Sequence, residues 1–284
     1  MDIRLLEPKD RAALESFLQA HRPQAMFLRS NLAHGGLADG GRPYQGRYAA
    51  SFENGQIAGV AAHYWNGMLV LLAPRHAAEL ALAATSGRKI GGIIGPWQQA
   101  LDAQDALGID DTLRFLRSKE VLMTLPLDRL RIPPPMLQGQ KLQCRLATVD
   151  DVPLLTGWRR DFRCEALGAT PSHTLTRQCE EEIALWVQEK NQFLLMDGGH
   201  PVAGCCFNAR LPDAVQIGNV WTPPDLRSRG YGRAVVAGAL AHARDADADL
   251  AVLFTPADNQ AAQTAYLALG FSATGDYAIL LYRT

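Results

Sequence analysis

The stretch "TPPDLRSRGYGRAVVAGAL", Thr222 to Leu240, decides how this chain is interpreted. Two prolines restrict the backbone at its start, and Gly230 and Gly232 permit close turns before an apolar, alanine- and valine-rich run. The segments on either side, "AVQIGNVWT" and "LAVLFTPA", have the composition of buried strands. A strand, a crossover helix and a second strand predict a parallel, right-handed pair. The loop then lies at the carboxyl end of the first strand, where open α/β sheets bind ligands.

This loop has the features of a phosphate-binding site. Exposed N–H groups around the two glycines and the positive end of the helix dipole attract an anion. Arg227, Arg229 and Arg233 add charge around it, so we predict a diphosphate ligand. A solvated surface loop is the alternative for so short a motif. A dinucleotide-binding Rossmann turn fits less well, because the third glycine is absent and prolines and arginines replace the tight turn.

Composition sets limits on the partners and the compartment. The 284 residues, 48% of them hydrophobic, suffice for two domains with a core each. The 28 basic and 29 acidic residues nearly cancel, so we expect neither nucleic acid nor membrane as a partner. The N-terminus lacks a signal-peptide pattern and the apolar runs are strand-sized, which indicates a cytoplasmic protein. Five cysteines without a C-x-x-C pair and histidines without ligand spacing predict no disulfide and no metal.

The two halves of the chain repeat each other. "RLLEPKDRAALESF" returns as "RLATVDDVPLLTGW", with Arg4 and Asp10 matched by Arg145 and Asp151. "ENGQIAGVAAHYW" resembles "DGGHPVAGCCFNA", with an Asn-Gly and a Gly-Gly pair as predicted hairpin turns. Two more matches keep the same order, "LVLLAP" with "NVWTPP" and "IIGPWQQALDAQDALGI" with "LFTPADNQAAQTAYLALGF". The shared order predicts a tandem duplication.

The copies differ at the loop described above. Pro74 and Pro96 are 22 positions apart, whereas Pro224 and Pro256 are 32 apart, and we place the missing length at "DLRSRGYGR". A proline-rich segment between the copies has the composition of a linker. The predicted parts are a first copy, the linker and a second copy, residues 1–132, 133–140 and 141–284.

Three segments in order, "VWTPPDLRSRGYGRAVV", "FTPADNQAAQTAYLALGF" and "GDYAILLY", make the second half similar to the acetyl-CoA-binding half of the GNAT acetyltransferase superfamily. The family's R/Q-x-x-G-x-G/A loop holds the diphosphate of coenzyme A. The likeness is specific over about Lys141 to Thr284 and weaker over the first half, where it rests on the repeats. The whole chain resembles bacterial two-copy members with a degenerate first copy. This implies two tandem α/β domains, each a mixed, mostly antiparallel sheet flanked by helices.

The resemblance also implies which residues bind acetyl-CoA. The end of the first strand pairs with the pantetheine arm, and its unpaired N–H groups form a preorganised oxyanion site. The loop holds the diphosphate, and an asparagine of the later helix contacts coenzyme A. From the residues themselves, Asp258 is predicted to cap that helix, with Asn259 in its first turn. The implied binding residues are Val220, Trp221, Thr222, Arg227, Ser228, Arg229, Gly230, Tyr231, Gly232, Arg233 and Asn259.

Tyr266 is the candidate general acid for the departing thiolate. It lies seven residues after Asn259, on the same helix face, and the resemblance implies a tyrosine near the sulfur. A buried aromatic is the alternative. The first copy has Gln104 here, which cannot protonate a thiolate. For the base that deprotonates the amine we consider Glu165 first, then Asp213 or a bound water.

The expected function is N-acetyl transfer directly from acetyl-CoA to a primary amine of a small-molecule or peptide acceptor, without a metal. The sequence leaves open whether the protein forms a homodimer. A non-catalytic acyl-CoA-binding or regulatory module is the alternative. Aminoacyl transfer from charged tRNA is a further alternative, for which the near-neutral composition offers no basic groove. Cys205 and Cys206 lie mid-strand without a basic partner and are predicted to pack, not to act as nucleophiles. The glycine-rich "RSNLAHGGLADGGRPYQGRY" either shapes the acceptor pocket or is a solvent loop.

Overall fold

The computed structural model describes residues 2–137 and 142–283. Its contacts divide the chain into two compact units, residues 1–122 with 274–284, and residues 123–273. The elements that begin in residues 1–122 are β1 (Asp2–Leu5), α1 (Arg11–Ala20), α2 (Met26–Gly35), β2 (Gly46–Glu53), β3 (Gln56–Tyr64), β4 (Met68–Leu72), α3 (Ala77–Thr85), β5 (Gly92–Pro96), α4 (Trp97–Leu107) and β6 (Arg114–Pro126). Those that begin later are α5 (Pro134–Leu137), β7 (Leu142–Leu146), α6 (Val152–Leu167), α7 (His173–Gln188), β8 (Gln192–Asp197), β9 (His200–Arg210), β10 (Ala214–Trp221), α8 (Tyr231–Arg244), β11 (Leu250–Pro256), α9 (Gln260–Leu269) and β12 (Ser272–Tyr282).

The first unit has the strand order β1-β2-β3-β4-β5-β12-β6. The pairs from β1 to β4 are antiparallel, β4 and β5 are parallel, and β5 and β12 are antiparallel. Successive side chains of a strand point to opposite faces, so β3 contributes Ala61 to one apolar cluster and Ala62 to another. Helices α3 and α4 cover the first cluster, and α1 and α2 cover the second.

The second unit has the strand order β6-β11-β10-β9-β8-β7. Strands β7 to β10 pair antiparallel, whereas β10 and β11 are parallel and joined through α8. This confirms the crossover predicted from the opening stretch. The parallel pair places the loop between β10 and α8 at the carboxyl end of β10, as expected.

The two sets of elements follow one order, β-α-α-β-β-β-α-β-α-β. The hairpin turns also match, because Asn54-Gly55 and Gly198-Gly199 join paired strands and all four residues have positive φ. A mixed, mostly antiparallel sheet flanked by helices in each repeat confirms the predicted fold class.

The repeat boundaries and the compact units differ. Strands β6 and β12 each pass from one unit into the other, between residues 122 and 123 and between residues 273 and 274. The proposed copies 1–132 and 141–284 follow the sequence repeat, whereas the units follow contacts, because a strand joins the sheet in which it pairs. Within the proposed linker, Pro134–Leu137 forms α5, and residues 138–140 lie outside the described residues, as does position 141.

In the first copy, both the loop and the helix that follows it are shorter than in the second. Four residues, 73–76, separate β4 from α3, whereas nine residues, 222–230, separate β10 from α8. Helix α3 has 9 residues and α8 has 14. The missing length is therefore divided between the loop and the helix after it, and the prediction that it lies in the loop alone is wrong.

Candidate functional site

The strands that flank the loop separate before β10 ends. The register of β10 with β11 runs from Ala214 opposite Leu250 to Ile217 opposite Leu253 and stops there. Strand β10 continues to Trp221. Backbone N–H groups on this last part of β10 are therefore not taken up by a ladder with β11. This is the splayed geometry that the oxyanion prediction requires.

The loop turns back on itself through left-handed residues. After a short 3-10 turn at Pro224–Leu226, Ser228 has φ +62° and Gly230 has φ +79°, directly before α8. Consecutive backbone N–H groups in such a turn form an anion-binding concavity at a helix N-terminus. A Cβ at Gly232 would meet Thr222 Oγ1 at 3.5 Å, an ordinary contact, so the protein's own packing does not demand glycine there.

The three loop arginines have different surroundings. Arg227 donates from Nε to the Thr222 carbonyl (3.0 Å) and from Nη2 to Glu165 Oε2 (2.9 Å), and its guanidinium lies 4.9 Å from the Trp221 ring centroid. Arg229 donates from Nη2 to the Asp225 carbonyl (3.2 Å). Arg227 is therefore held by the protein itself.

Arg233 differs, because its Nε is buried and has no hydrogen-bond partner among the described residues. The Nε1 of Trp221, at the end of β10, is buried in the same way. Buried donors are almost always satisfied in folded proteins, so each of these two groups needs an explanation. A ligand with acceptor atoms that lies between the loop and the end of β10 provides one.

Tyr231 fastens the start of α8 to the neighbouring part of the sheet. Its hydroxyl donates to Asp197 Oδ2, the last residue of β8, at 2.5 Å. This hydrogen bond, together with desolvation and the carboxylate charge, raises the pKa of Tyr231. The side chain of Tyr231 is therefore engaged within the protein, and the prediction that Tyr231 binds the diphosphate rests on its backbone N–H at the helix start.

The cap of α9 is Asn259, and the prediction of Asp258 was wrong. The helix begins at Gln260, and Asn259 Oδ1 accepts from the Ala262 N–H at 3.0 Å. A shift of one residue decides the cap, because only the Ncap side chain reaches the N–H groups of the first turn. The Asn259 oxygen is thus engaged, and its amide NH₂ is the group that can donate to a ligand.

Tyr266 lies two turns further along α9. Tyr266 is 7% exposed, and its ring packs edge-on against the Phe271 ring, with the two ring centroids 5.9 Å apart. The helix ends at Leu269, and Gly270 follows with φ +104°. Tyr266 is therefore a fixed side chain, which a positioned general acid has to be.

The two carboxylates considered as bases, Glu165 and Asp213, lie in different places. Glu165, near the end of α6, forms the ion pair with Arg227 already described, and its side chain is 52% exposed. Asp213 precedes the first residue of β10, so it lies about 25 Å from the loop at the far end of that strand. Asp213 is thus wrongly placed for chemistry there, whereas Glu165 lies beside the loop and its role as a base stays a prediction.

The paired cysteines are packing residues, as predicted. Cys205 and Cys206 are both fully buried. Burial raises the pKa of the Cys206 thiol to about 12 and raises the pKa of the Cys205 thiol well above its usual value. A thiol in such surroundings stays protonated and is a poor nucleophile.

The equivalent site is absent from the described residues of the first unit. The N–H of Ala73, just after β4, donates to Gln99 Oε1 at 2.7 Å, so the chain's own α4 takes up the backbone donor at the corresponding strand end. Gln104, at the position that corresponds to Tyr266, is buried on the same helix. The short link before α3 leaves no cradle for a diphosphate.

Sequence reasoning missed four residues around the site. Asn219 has φ +49° in a bulge of β10, and Arg159 of α6 binds it while held by Glu182 of α7. Asp197 anchors Tyr231. An asparagine between glycine and valine is a weak sign of a left-handed residue, but the partners lie 34 to 60 positions away in sequence, where no local pattern reaches.

Comparison with known proteins defines the class. Residues 156–271 match the family model described as the acetyltransferase (GNAT) family. Residues 156–271 are therefore similar to GNAT acetyltransferases, a family that uses acetyl-CoA for acetyl transfer in general. No curated protein matches the sequence.

Solved structures extend the likeness to the whole chain at the level of the fold. A GNAT-family acetyltransferase from Colwellia psychrerythraea is 15% identical, with 100% of both chains covered and a TM-score of 0.53. A GCN5-related N-acetyltransferase from Kribbella flavida is 15% identical over 93% of this chain and 96% of that one, with a TM-score of 0.57. A tandem GNAT protein from the clavulanic acid biosynthesis pathway is 12% identical over 98% and 97%, with a TM-score of 0.53. The tandem GNAT fold is thus shared by this chain.

Two further observations concern membranes and metals. Within residues 2–137 and 142–283, no helix is both long enough and apolar enough to cross a membrane. In the same residues, no three His, Cys, Asp or Glu side chains come together as a metal site would need.

Proposed function

We propose that the second unit transfers an acetyl group from acetyl-CoA directly to a primary amine of a small-molecule or peptide acceptor. The observation that carries this proposal is the loop before α8. Ser228 and Gly230 are left-handed there, and the Arg233 Nε is buried without a partner in the described chain. An isolated surface loop would leave no such buried donor, since a guanidinium N–H is readily satisfied by water.

The residues of the site fit the donor. The backbone from Ser228 to Gly232, with Arg233, would hold the diphosphate, and the open end of β10 from Val220 to Thr222 would pair with the pantetheine arm. Acetyl-CoA supplies an acyl carbon that is already activated as a thioester. The unpaired N–H groups of β10 would then stabilise negative charge on the carbonyl oxygen.

Proton transfer needs two further groups. The acceptor amine loses a proton as its nitrogen bonds to the carbonyl carbon, and the sulfur gains one as the C–S bond breaks. We assign the second proton to Tyr266, which is fixed on α9. The first goes to Glu165 or to water. Because Glu165 is bound to Arg227, it serves as a base only when that ion pair opens, so water is now the better-supported choice.

The test is coenzyme A binding, followed by a screen for acceptors that release free thiol. Arg233→Met should weaken coenzyme A binding about ten-fold or more, since one charged hydrogen-bond donor to the diphosphate is lost. Arg244→Met is the matched control, because Arg244 lies at the other end of α8 on the surface. Equal affinities for both variants would overturn the assignment. A measured acetylation rate that Tyr266→Phe leaves unchanged would contradict the catalytic role of Tyr266. Coenzyme A binding without turnover on any amine would instead support the non-catalytic binding module.

A further inference from the structure

Strand β10 carries a bulge just before its open end. Against β9, Gly218 faces Cys206 and Trp221 faces Gly204, so three steps along β10 correspond to two along β9. The extra residue falls at Asn219 or Val220. Asn219 has φ +49°, in the left-handed region that only glycine and, to a lesser degree, asparagine adopt readily. A bulge re-aims the side chains and N–H groups that follow it.

On one flank of the bulge, the Asn208 side chain lies over Gly218. A Cβ on Gly218 would collide with the Asn208 amide, so this exposed side chain would have to move. Asn208 Oδ1 accepts from the Cys206 thiol at 3.2 Å.

The other flank is held by Arg159 of α6. Its Nη1 donates to Asn219 Oδ1 at 3.2 Å, and its Nε donates to Glu182 Oε2 at 2.9 Å. The guanidinium lies 5.0 Å from the Trp186 ring centroid and 5.5 Å from that of Phe162, and its side chain is only 14% exposed. Contacts with a carboxylate and two aromatic rings restrict the Arg159 guanidinium to a single orientation.

We propose that Arg159 is a positioning residue: by holding Asn219 it sets the bulge of β10 and so aims the N–H groups of the residues that follow. The proposal rests on the proposed function in one respect, that these N–H groups meet the thioester carbonyl. Arg159 itself contacts neither donor nor acceptor in this account. Its effect passes through the direction of the β10 backbone.

Arg163 provides a matched control. It lies one turn further along α6 and donates from Nη1 to the same Glu182, at 3.3 Å. Among the described residues, Arg159 bonds to Asn219 and Arg163 does not. Arg159→Met and Arg163→Met therefore both remove one ion pair with Glu182. Only the first frees Asn219.

The first measurement is the selectivity of binding for acetyl-CoA over coenzyme A. In Arg159→Met the affinity for acetyl-CoA should fall towards that for coenzyme A, while coenzyme A itself binds within about two-fold of the parent, because the diphosphate loop is untouched. The carbonyl ¹³C resonance of bound acetyl-CoA should shift towards its value in water. Turnover, once an acceptor is found, should fall about ten-fold in kcat with little change in KM.

Rescue and coupling separate positioning from general damage. Asn219→Gly keeps the left-handed backbone without the side-chain oxygen, so adding Arg159→Met to it should change nothing further. Asn219→Asp restores an acceptor and should keep the parental carbonyl shift. Equal losses in Arg159→Met and Arg163→Met, or additive losses with Asn219→Gly, would overturn the proposal.

Hydrogen exchange keeps the test independent of the proposed function. If the protein binds no acetyl-CoA, the proposed function fails, but the bulge remains measurable through the amide protection of Ile217 and Gly218, which pair in the sheet directly before it. Arg159→Met should speed exchange at these two amides, and Arg163→Met should not. Unchanged protection in Arg159→Met would show that the hydrogen bond between Arg159 and Asn219 does not hold the strand.

Discussion

Each copy contains one arginine that grips an aspartate six positions later. Arg4 binds Asp10 with both Nη atoms at 2.7 Å, and Arg145 binds Asp151 at 2.7 and 2.9 Å. Each aspartate also accepts a backbone N–H three residues before it. The arginine hydrogen bonds are the main reason that the pKa of Asp10 and that of Asp151 fall to about 2. Such paired, fork-shaped contacts fix the turn between the first strand and the first helix of a copy.

The first prediction concerns acid stability. A carboxylate whose pKa is lowered on folding stabilises the fold above its unfolded pKa of about 4, and this stabilisation is lost as the pH falls towards 2. Asp151→Asn should lower the free energy of unfolding by about 1–3 kcal/mol at pH 7 and flatten its dependence on pH between 4 and 2. Asp161→Asn removes an exposed pair with Arg160 and should cost under about 1 kcal/mol. Urea unfolding at several pH values measures both free energies. Equal effects of the two changes would show that the Arg145–Asp151 pair contributes no more than an exposed pair.

The second prediction concerns Tyr266. Tyr266→Phe keeps the ring and removes the proton donor, so kcat should fall about 100-fold while the KM for acetyl-CoA stays within about two-fold. Tyr277→Phe is the control, since it deletes a buried hydroxyl that donates to the Gln24 carbonyl. It should lower stability and leave kcat alone. A Tyr266→Phe enzyme as fast as its parent would assign the tyrosine to packing.

At the residue scale the sequence indicates local partners and misses distant ones. The paired arginine and aspartate of each copy are visible in sequence as a repeated spacing, because both residues lie in one short segment. The cap of α9 was misplaced by one residue because Asp258 and Asn259 are both good caps and only the backbone decides between them. Arg159 and Asn219 could not be paired, since their contact depends on how α6 packs over β10.

At the scale of elements, the loop and α8 act as one unit. The left-handed turn presents N–H groups, α8 adds its dipole, and Tyr231 ties the start of the helix to β8. The first copy has a shorter link and a shorter helix in this place, and both differences weaken an anion site. The sequence predicts the loop and the start of α8, because glycine spacing and helix starts are local features. It does not predict the ion pair between Arg227 and Glu165, which are 62 positions apart.

The third prediction tests the backbone of this loop. Gly230→Ala forces a side chain into φ +79°, at a cost of about 1 kcal/mol, so the turn should relax and coenzyme A should bind about ten-fold more weakly. Gly55→Ala is closely matched, with φ +78° and open space, but it lies in the β2–β3 hairpin. It should cost similar stability without loss of affinity. Calorimetric titration of both variants gives the answer, and equal losses of affinity would contradict the assignment.

At the scale of the whole molecule, the two repeats share one element order and differ in the loop, which is long before α8 and short before α3. The repeat was visible in sequence because its order survived, and the fold class followed from it. The passage of β6 and β12 between units was not predictable, because a strand sequence records its buried faces and not the sheet in which it pairs. The boundary drawn at the proline-rich segment therefore marks the copies and not the compact units.

The fourth prediction is the stoichiometry. Because Gln99 takes up the Ala73 N–H and the loop is missing, the first unit should not bind the donor. Titration should give one acetyl-CoA per chain. Arg233→Met should weaken that single site and expose no second one. Two equivalents bound by the parent protein would show that the first unit is not degenerate.

The most direct test of the account is a crystal structure of the protein with acetyl-CoA. We expect density for the diphosphate against the backbone of Ser228 to Gly232, with the Arg233 guanidinium turned towards it and the thioester beside Val220 and Trp221. Density for the donor against the first unit, or a complex in which this loop makes no contact with phosphate, would contradict the central claim.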